Sequence, residues 1–306
     1  MNHEKQDRRL RRILVPLDES VHSRTALEAA VALAAALQAE LDCLYVEDTK
    51  LLELSKYPFF REVCTYECRT RKTNEIERDL QLQSERIRRM ITRSVGRTQV
   101  KWSFEIRRGG VETVVLERAA SADLTIMGRL GRTVLRSTMG STVRHLILHG
   151  RGLSMFIQEG FRVRSPIIAV YTGSEASNRG LDFAANIARL IRGEVEILVP
   201  AATREAFQAL RKEAEANFKD PDVRHRFQPT TVPAPGGLLE RLRAMHLELV
   251  VLPEDAADHQ PENVLNLINR IANPVLLVRG NKRNGDDRDH GRNQGAEGGG
   301  STGASG

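Results

Sequence analysis

The second half of this chain repeats the first, and the repeat limits the available folds more than any other feature. Many residue types recur 154 positions later: Ile13, Ser20, Ser23, Leu27, Ala30, Glu40 and Leu44 correspond to Ile167, Ser174, Ser177, Leu181, Ala184, Glu194 and Leu198. Further along, the offset falls to 125 and then to 121, so the second copy is shorter in its middle. This pattern predicts a tandem duplication of one supersecondary unit.

Each copy alternates strand and helix signals. Short apolar or β-branched runs predict strands at residues 12–18, 40–46, 100–106, 122–127 and 153–158. Helical periodicity predicts helices at residues 23–38, 72–95, 110–120 and 141–149. Because strands that alternate with helices form parallel sheets covered on both faces, each copy is predicted to be an α/β domain.

Composition places the chain in the globular class and sets the boundaries of its parts. Of 306 residues, 41% are hydrophobic and 28% are charged, which is typical of folded domains. Residues 1–11 and 281–306 contain too little apolar surface to fold, so they are predicted to be a flexible N-terminus and a disordered tail. Residues 12–160 and 161–280 remain as the two domains.

Several functional classes are excluded by the same reasoning. No apolar run approaches the ~20 residues of a membrane span, no signal-peptide core follows the N-terminus, and three cysteines do not form a disulfide framework. The net charge of +6 is concentrated in residues 61–108, where basic and acidic residues interleave as on a solvated helix face. A cytoplasmic protein with no membrane span and no specific nucleic-acid partner is therefore expected.

A glycine-rich stretch between two predicted elements carries the strongest functional signal. The buried strand that precedes it ends in Gly128, Gly131 follows, and Gly140, Ser141 and Thr142 open a helix. Ligands of open parallel sheets bind beyond the carboxyl ends of the strands. There, glycines let the backbone approach a phosphate, and a helix N-terminus offers unpaired amides. This spacing is compatible with a nucleotide site.

Charged residues flank the glycines. Arg129, Arg132 and Arg136 would supply positive charge for phosphates. Asp18 ends the first strand at the same rim, where its carboxylate could hold the ribose or adenine. Simpler roles stay open at this point, since glycines also form turns and both Gly140-Ser141 and Asp18 could merely cap helices.

Three segments resemble the universal stress protein family: the opening ILVPLDES, the second strand LYVED and the motif MGRLG…MGST. The resemblance covers residues 12–158 well and residues 166–279 more faintly. It implies two tandem five-stranded parallel-sheet domains of Rossmann-like α/β fold, with ATP bound in nucleotide-binding members. By resemblance, Asp18 and the backbone near Val46 would face the adenosine. Gly128 and Gly131 would approach the ribose and phosphates, and Gly140, Ser141 and Thr142 would hold the phosphate end.

The chain departs from the family pattern at two places. The spacer between the second and third glycines, residues 132–139, is one residue shorter, which either withdraws an amide from the phosphates or is absorbed by the loop. In the second copy, Thr172, Pro253, Pro261 and Glu262 stand where the first has Asp18, Gly128, Gly140 and Ser141. Proline removes an amide and glutamate adds a negative charge at the helix start, so this copy is predicted to keep its fold and lose its site.

Together these observations predict a cytosolic stress-response protein that binds an adenine nucleotide, with Mg²⁺ able to accompany ATP, in its first domain. Its role would be non-enzymatic regulation through protein partners. Its two halves would pair through their last strands, and association of two chains stays open. A nucleotide-free interaction module is the alternative, followed by a slow ATPase, for which no residue stands out as a base. No metal site is expected, because the pairs Cys64/Cys68 and His145/His149 lack further ligands.

Overall fold

The computed structural model describes residues 10–49, 53, 61–64, 67–70, 73–96, 98–129, 139–231, 236–245, 248–258 and 260–280. The predicted N-terminal segment 1–11 lies almost entirely outside these residues, and the predicted tail 281–306 lies wholly outside them. The elements of the first half are β1 (Arg12–Pro16), α1 (Val21–Leu37), β2 (Glu40–Asp48), β3 (Arg61–Cys64), β4 (Glu67–Thr70), α2 (Thr73–Val95), β5 (Trp102–Gly109), α3 (Val111–Ala119), β6 (Leu124–Gly128), α4 (Ser141–His149) and β7 (Leu153–Ile157).

The second half contains the same alternation. Its elements are β8 (Ile167–Val170), α5 (Glu175–Ile191), β9 (Glu194–Ala201), α6 (Arg204–Asn217), β10 (Arg224–Thr231), α7 (Gly236–Ala244), β11 (Val250–Pro253), α8 (Pro261–Arg270) and β12 (Val275–Val278). None of the described helices is long and apolar enough to cross a membrane.

Ten strands form a single sheet in the order β10-β9-β8-β11-β12-β7-β6-β1-β2-β5. Within each half, all pairings in this ten-stranded sheet are parallel, which confirms the predicted α/β class. The halves meet where β7 and β12 pair antiparallel, with Met155 opposite Leu276. Every strand of one half therefore runs opposite to every strand of the other.

One element was not predicted. The strands β3 and β4 form an antiparallel hairpin outside the main sheet, between β2 and α2. It contains both Cys64 and Cys68, with Cys68 opposite Val63. The two cysteines of the C-x₃-C spacing therefore lie on two paired strands.

Both faces of the sheet are covered by helices. On β1, Ile13 and Val15 join the core beneath α1 and α2, whereas Leu14 joins the core on the opposite face beneath α3 and α4. All three side chains are buried. Consecutive buried residues are typical of a parallel strand with helices on both sides.

Equivalent hydrogen bonds occur in the two halves. The amide of Ser23 donates to Oγ of Ser20 at 3.0 Å, and 154 residues later the amide of Ser177 donates to Oγ of Ser174 at the same distance. Both bonds cap the first long helix of their half. Two more backbone hydrogen bonds of the first half have equivalents in the second. The amides of Leu17 and Tyr171 donate to the carbonyls of Leu44 and Leu198, respectively. The amides of Arg129 and Glu254 likewise donate to the carbonyls of Ile157 and Val278.

Candidate functional site

The connections of the first half reverse direction at β1. The chain passes from β1 to β2 on one side, and the later strand β6 pairs with β1 on the other. Open α/β sheets bind ligands in the crevice at such a switch point, beyond the carboxyl ends of the strands. Asp18 follows β1, Gly128 ends β6, and α4 begins at Ser141. The fold therefore brings the predicted site residues after β1 and β6 to one crevice.

One carboxylate oxygen of Asp18 accepts hydrogen bonds at the start of α1, and the other remains available as an acceptor. Its Oδ1 accepts hydrogen bonds from the amide of Ser20 at 3.2 Å and from Oγ of Ser20 at 2.6 Å. Ser20, rather than Asp18, is the N-cap of α1. Within the described part of the chain, Oδ2 of Asp18 accepts no hydrogen bond, so a ligand donor can use it.

Gly128 is required by packing, for a reason that the sequence did not reveal. A Cβ at this position would lie 2.6 Å from Cβ of His22 and 2.7 Å from its carbonyl carbon and oxygen. Real Cβ atoms do not approach backbone so closely, so glycine lets the first turn of α1 lie against the end of β6. The Nδ1 atom of His22 is itself buried and has no hydrogen-bond partner in the part of the chain that the structure describes.

Among the described side chains, none caps the amides at the start of α4. Gly140 is the N-cap residue, and its carbonyl accepts the amide of Arg144 at 3.0 Å. Its own amide donates to the carbonyl of Arg129 at 3.2 Å, which draws together the two ends of the glycine loop. Ser141 and Thr142 form the first turn. Helix amides in this position favour an anion.

The remaining predicted contacts are only partly described. Val46 lies near the carboxyl end of β2, is partly buried and packs against the core beneath α3 and α4. Gly131, Arg132 and Arg136 lie outside the described residues. Among the residues that the structure describes, no group of three or more His, Cys, Asp or Glu side chains could hold a metal ion.

The side chain of Arg129 does not point to the crevice as expected. It is 8% exposed, and its Nη1 donates to the carbonyls of Ile271 at 2.8 Å and Asn273 at 3.2 Å. Its Nη2 donates to the carbonyl of Ile268 in α8. Burial lowers the pKa of the guanidinium. The antiparallel joint places the carboxyl end of β6 beside the end of α8, where helix carbonyls lack partners, and the arginine binds these instead of phosphates.

Arg279 makes the reciprocal contact. It follows β12, and its Nη2 donates to the carbonyls of Leu146 at 2.8 Å and Ile147 at 2.7 Å, in the last turns of α4. Burial lowers the pKa of this guanidinium to about 10. Each half thus supplies one buried arginine to the carboxyl end of the other half's last helix. The sequence alone gave no sign of either contact.

The corresponding crevice of the second half is bridged by its own side chains. Oγ1 of Thr172, after β8, donates to Oδ2 of Asp255 at 2.6 Å. Oγ of Ser174 donates to Oδ1 of the same carboxylate at 2.8 Å. Since Asp255 follows β11, this bridge joins the loops of the two strands at the switch point. The space between them is occupied by a fixed negative charge.

Two further features of the second half differ from the first. Pro253 ends β11 where Gly128 ends β6, and α8 begins with Pro261 and Glu262 where α4 has Ser141 in its first turn. Proline provides no amide. The carboxylate of Glu262 lies in the first turn, where helix amides would otherwise favour an external anion.

Comparisons with known proteins agree with this architecture. Residues 9–151 match the universal stress protein family, and no curated protein matches the chain. A universal stress protein from Archaeoglobus fulgidus DSM 4304 superposes with a TM-score of 0.66 at 12% identity, covering 88% of this chain and 98% of that one. A protein from Pseudomonas aeruginosa UCBPP-PA14, named for the same family, gives 0.55 at 15% identity and covers 88% and 93%.

A universal stress protein solved in complex with cAMP aligns over 49% of this chain and 97% of its own length, with a TM-score of 0.34 at 14% identity. The two longer superpositions show that both halves share one fold with solved proteins of this kind. The match to residues 9–151 adds the sequence motif to the fold. Residues 9–151, a little under half of the chain, therefore match the universal stress protein family by sequence, and most of the chain shares its fold with solved proteins of that kind.

Proposed function

We propose that the first half binds an adenine nucleotide, ATP in the simplest case, in the crevice between the loops after β1 and β6. The observation that carries the proposal is the start of α4, which lies at the switch point of the sheet and whose first amides are capped by none of the side chains that the structure describes. Such amides, together with the hydroxyls of Ser141 and Thr142, suit a phosphate group. Gly140 holds the loop end in place through its bond to Arg129.

Two further polar groups suit the nucleoside. Oδ2 of Asp18 offers an acceptor to a ribose hydroxyl or an adenine amino group. Nδ1 of His22 is buried and has no partner among the described residues, so a ligand beside Gly128 that supplies a hydrogen bond would satisfy it. Val46 offers an apolar contact and its backbone to the base. Gly131 completes the loop in this proposal, whereas the side chain of Arg129 is excluded from it.

We infer one nucleotide per chain. The equivalent crevice of the second half is filled by the carboxylate of Asp255, and Pro261 and Glu262 replace the residues that would meet a phosphate. The equivalent capping bonds of the halves support a tandem duplication with domains at 12–160 and 161–280. One copy would then retain the site while the other retains only the fold.

We propose a non-enzymatic, cytoplasmic role in the stress response, exerted through a protein partner. The antiparallel joint already pairs the last strands of the two halves, which covers one edge of each. A second chain, if it associates, would have to use another surface.

Titration calorimetry of the full chain with ATP tests the proposal. We expect one site, with Asp18→Asn weakening binding at least about tenfold, because the amide keeps the Oδ1 acceptor for Ser20 but replaces Oδ2 by a donor. Thr172→Val changes the equivalent residue of the second half and serves as the matched control, with unchanged affinity expected. Two equal sites, or equal losses in both variants, would contradict the assignment.

The same samples distinguish the two alternative functions, a nucleotide-free interaction module and a slow ATPase. If calorimetry detects no heat of binding for ATP, AMP or adenosine, the result would favour a module that binds partners without a nucleotide. Release of phosphate from bound ATP, measured with protein in excess, would favour hydrolysis. We expect binding and no release.

A further inference from the structure

The strand β5 forms one edge of the ten-stranded sheet, and no strand that the structure describes pairs with its outer side. On its inner side, the amide of Leu41 in β2 donates to the carbonyl of Lys101, just before β5 begins, at 2.9 Å. Because the backbone groups of successive strand residues point to alternate sides, the amides and carbonyls of the even-numbered residues of β5 point away from β2. A further strand could pair with these groups.

The two edges of the sheet differ in how they suit such pairing. The strand β10, at the opposite edge, contains Pro229, which has no amide to donate and is typical of an edge that avoids pairing. The strand β5 has eight residues without a proline, and the side chain of Ile106 in its middle is 42% exposed. An exposed apolar side chain on an unpaired strand makes β5 the edge to which another chain can add.

Charged residues flank Ile106 on both sides, with opposite signs. The carboxylate of Glu105 binds the guanidinium of Arg107 and, at 3.1 Å, that of Arg118 in α3. In an antiparallel pair of identical strands, the order of these charges is reversed in the second copy. The strand can therefore complement itself.

The same charges select one register for two copies of β5. A two-fold axis through residue 105 sets two carboxylates opposite each other, and an axis through residue 107 sets two guanidiniums opposite each other. An axis through Ile106 places Glu105 opposite Arg107 of the second copy on both sides of the axis, with the Cα atoms about 4.5 Å apart. Opposite charges in such a pair are stabilising, and like charges are destabilising.

We propose that two copies of this chain associate through β5, antiparallel about a two-fold axis at Ile106. The two ten-stranded sheets then continue into one another, and the two exposed Ile106 side chains meet at the axis. Each carboxylate of Glu105 lies between a guanidinium of its own chain and one of the second copy. The interface uses the same patch on both copies, as a closed two-fold dimer requires, and it does not depend on the proposed nucleotide.

Sedimentation equilibrium of the full chain at low salt, where surface charges are least screened, tests the proposal. We expect a dimer whose dissociation constant rises at least about tenfold in Arg107→Glu, because two like-charged pairs replace two opposite ones. The double variant Glu105→Arg, Arg107→Glu restores the opposite pairs and should return to within about threefold of the unmodified chain. Arg224→Glu, at an exposed position in β10, is the matched control and should leave the dissociation constant unchanged.

A cross-link tests the register by a second route. The two copies of Ile106→Cys would face each other at the axis and form an interchain disulfide on mild oxidation, as a non-reducing gel would show. The two copies of Ser103→Cys would lie six residues out of register, about 20 Å apart, and should not be joined. The unmodified chain, with its own three cysteines, gives the background.

Thermal melting shows that each variant is folded. A full chain that sediments as a monomer at every concentration would overturn the proposal, as would a dimer that Arg107→Glu leaves intact. A folded double variant that stays dissociated, or equal cross-linking of Ser103→Cys and Ile106→Cys, would refute the register. None of these results would alter the nucleotide affinity expected for the first half.

Discussion

Arg129 and Ile271 are joined across the middle of the sheet by a 2.8 Å hydrogen bond from guanidinium Nη1 to a carbonyl oxygen. Arg279 spans the same joint in the opposite direction to reach Leu146 and Ile147. The halves are therefore held by more than the pairing of β7 with β12. The acceptors lie at helix ends, where the last carbonyls lack amides of their own helix, and the carbonyl of Leu146 also accepts the amide of Gly150 at 2.9 Å.

Replacing Arg129 by methionine should lower the free energy of unfolding by about 1–3 kcal/mol, because the helix-end carbonyls that it binds lose a charged donor. Urea denaturation at neutral pH measures the loss. Arg151→Met, at an exposed position near the same joint, is the control and should change stability by less than about 0.5 kcal/mol. Equal effects of both substitutions would show that the buried guanidinium contributes nothing to the joint.

Gly128→Ala should destabilise the fold whether or not a ligand is present. The new Cβ would meet the backbone of His22 at 2.7 Å, so α1 must shift, at a cost of about 1–3 kcal/mol. Gly110→Ala is the matched control at the same edge of the sheet. Its Cβ would meet nothing closer than 3.7 Å, and its φ of −68° suits any residue. Thermal melting of the two variants tests this expectation. An unchanged melting temperature for Gly128→Ala would refute the packing argument.

Asp255→Asn should cost about 1–2 kcal/mol, since an amide cannot accept from Thr172 and Ser174 with both of its polar atoms. Asp222→Asn, at an exposed position, should have no measurable effect on the unfolding midpoint. We further expect calorimetry of Asp255→Asn to give one nucleotide per chain, because Pro261 and Glu262 remain. A second site in this variant would show that Asp255 alone closes the crevice.

Cys43 should resist alkylation in the folded protein. Its side chain is 1% exposed, and burial, with a smaller effect from Asp42, raises the pKa of the thiol to about 12. Iodoacetamide at pH 8 should modify this residue only in denaturant, as peptide mass spectrometry would show. Modification without denaturant, at the rate of a free thiol, would contradict its burial.

The same pKa shift predicts how stability depends on pH. Between about pH 9 and 12 the unfolded thiol loses its proton while the folded one keeps it, so the unfolded state binds fewer protons. The contribution of Cys43 to stability is therefore complete below pH 9 and declines as the pH rises. Comparison with Cys43→Ala in urea isolates this part of the decline.

Much of the fold could be predicted because hydrophobic residues recur with one period along a helix and with another along a strand. The helix predicted at residues 141–149 begins and ends there in the structure, and the five predicted strands of the first half are present with boundaries shifted by a few residues. The hairpin at residues 61–70 was missed because its two strands are only four residues long and carry no clear alternation. Local pattern is a weak guide to such short elements.

The site was predictable only in part, because some of its contacts join distant parts of the chain. Arg129 and Asp255 have partners 142 and 83 residues away along the chain, respectively. Only the antiparallel direction of the joint turns Arg129 away from the crevice. The sequence places Thr172 where the first half has Asp18, but the carboxylate that Asp255 brings to this position from the β11 loop depends on folded geometry.

Because the strands of the two halves run in opposite directions, their crevices open at opposite ends of the molecule. A partner that docks over the proposed nucleotide end of the first half would also contact the turn between α8 and β12, to which Arg129 is hydrogen bonded. Through a single contact surface, such a partner would respond both to whether a nucleotide is bound and to how the two halves are joined. The crevice of the second half, which Asp255 bridges, would face away from this partner. Its residues would therefore be under no selection to contact the partner.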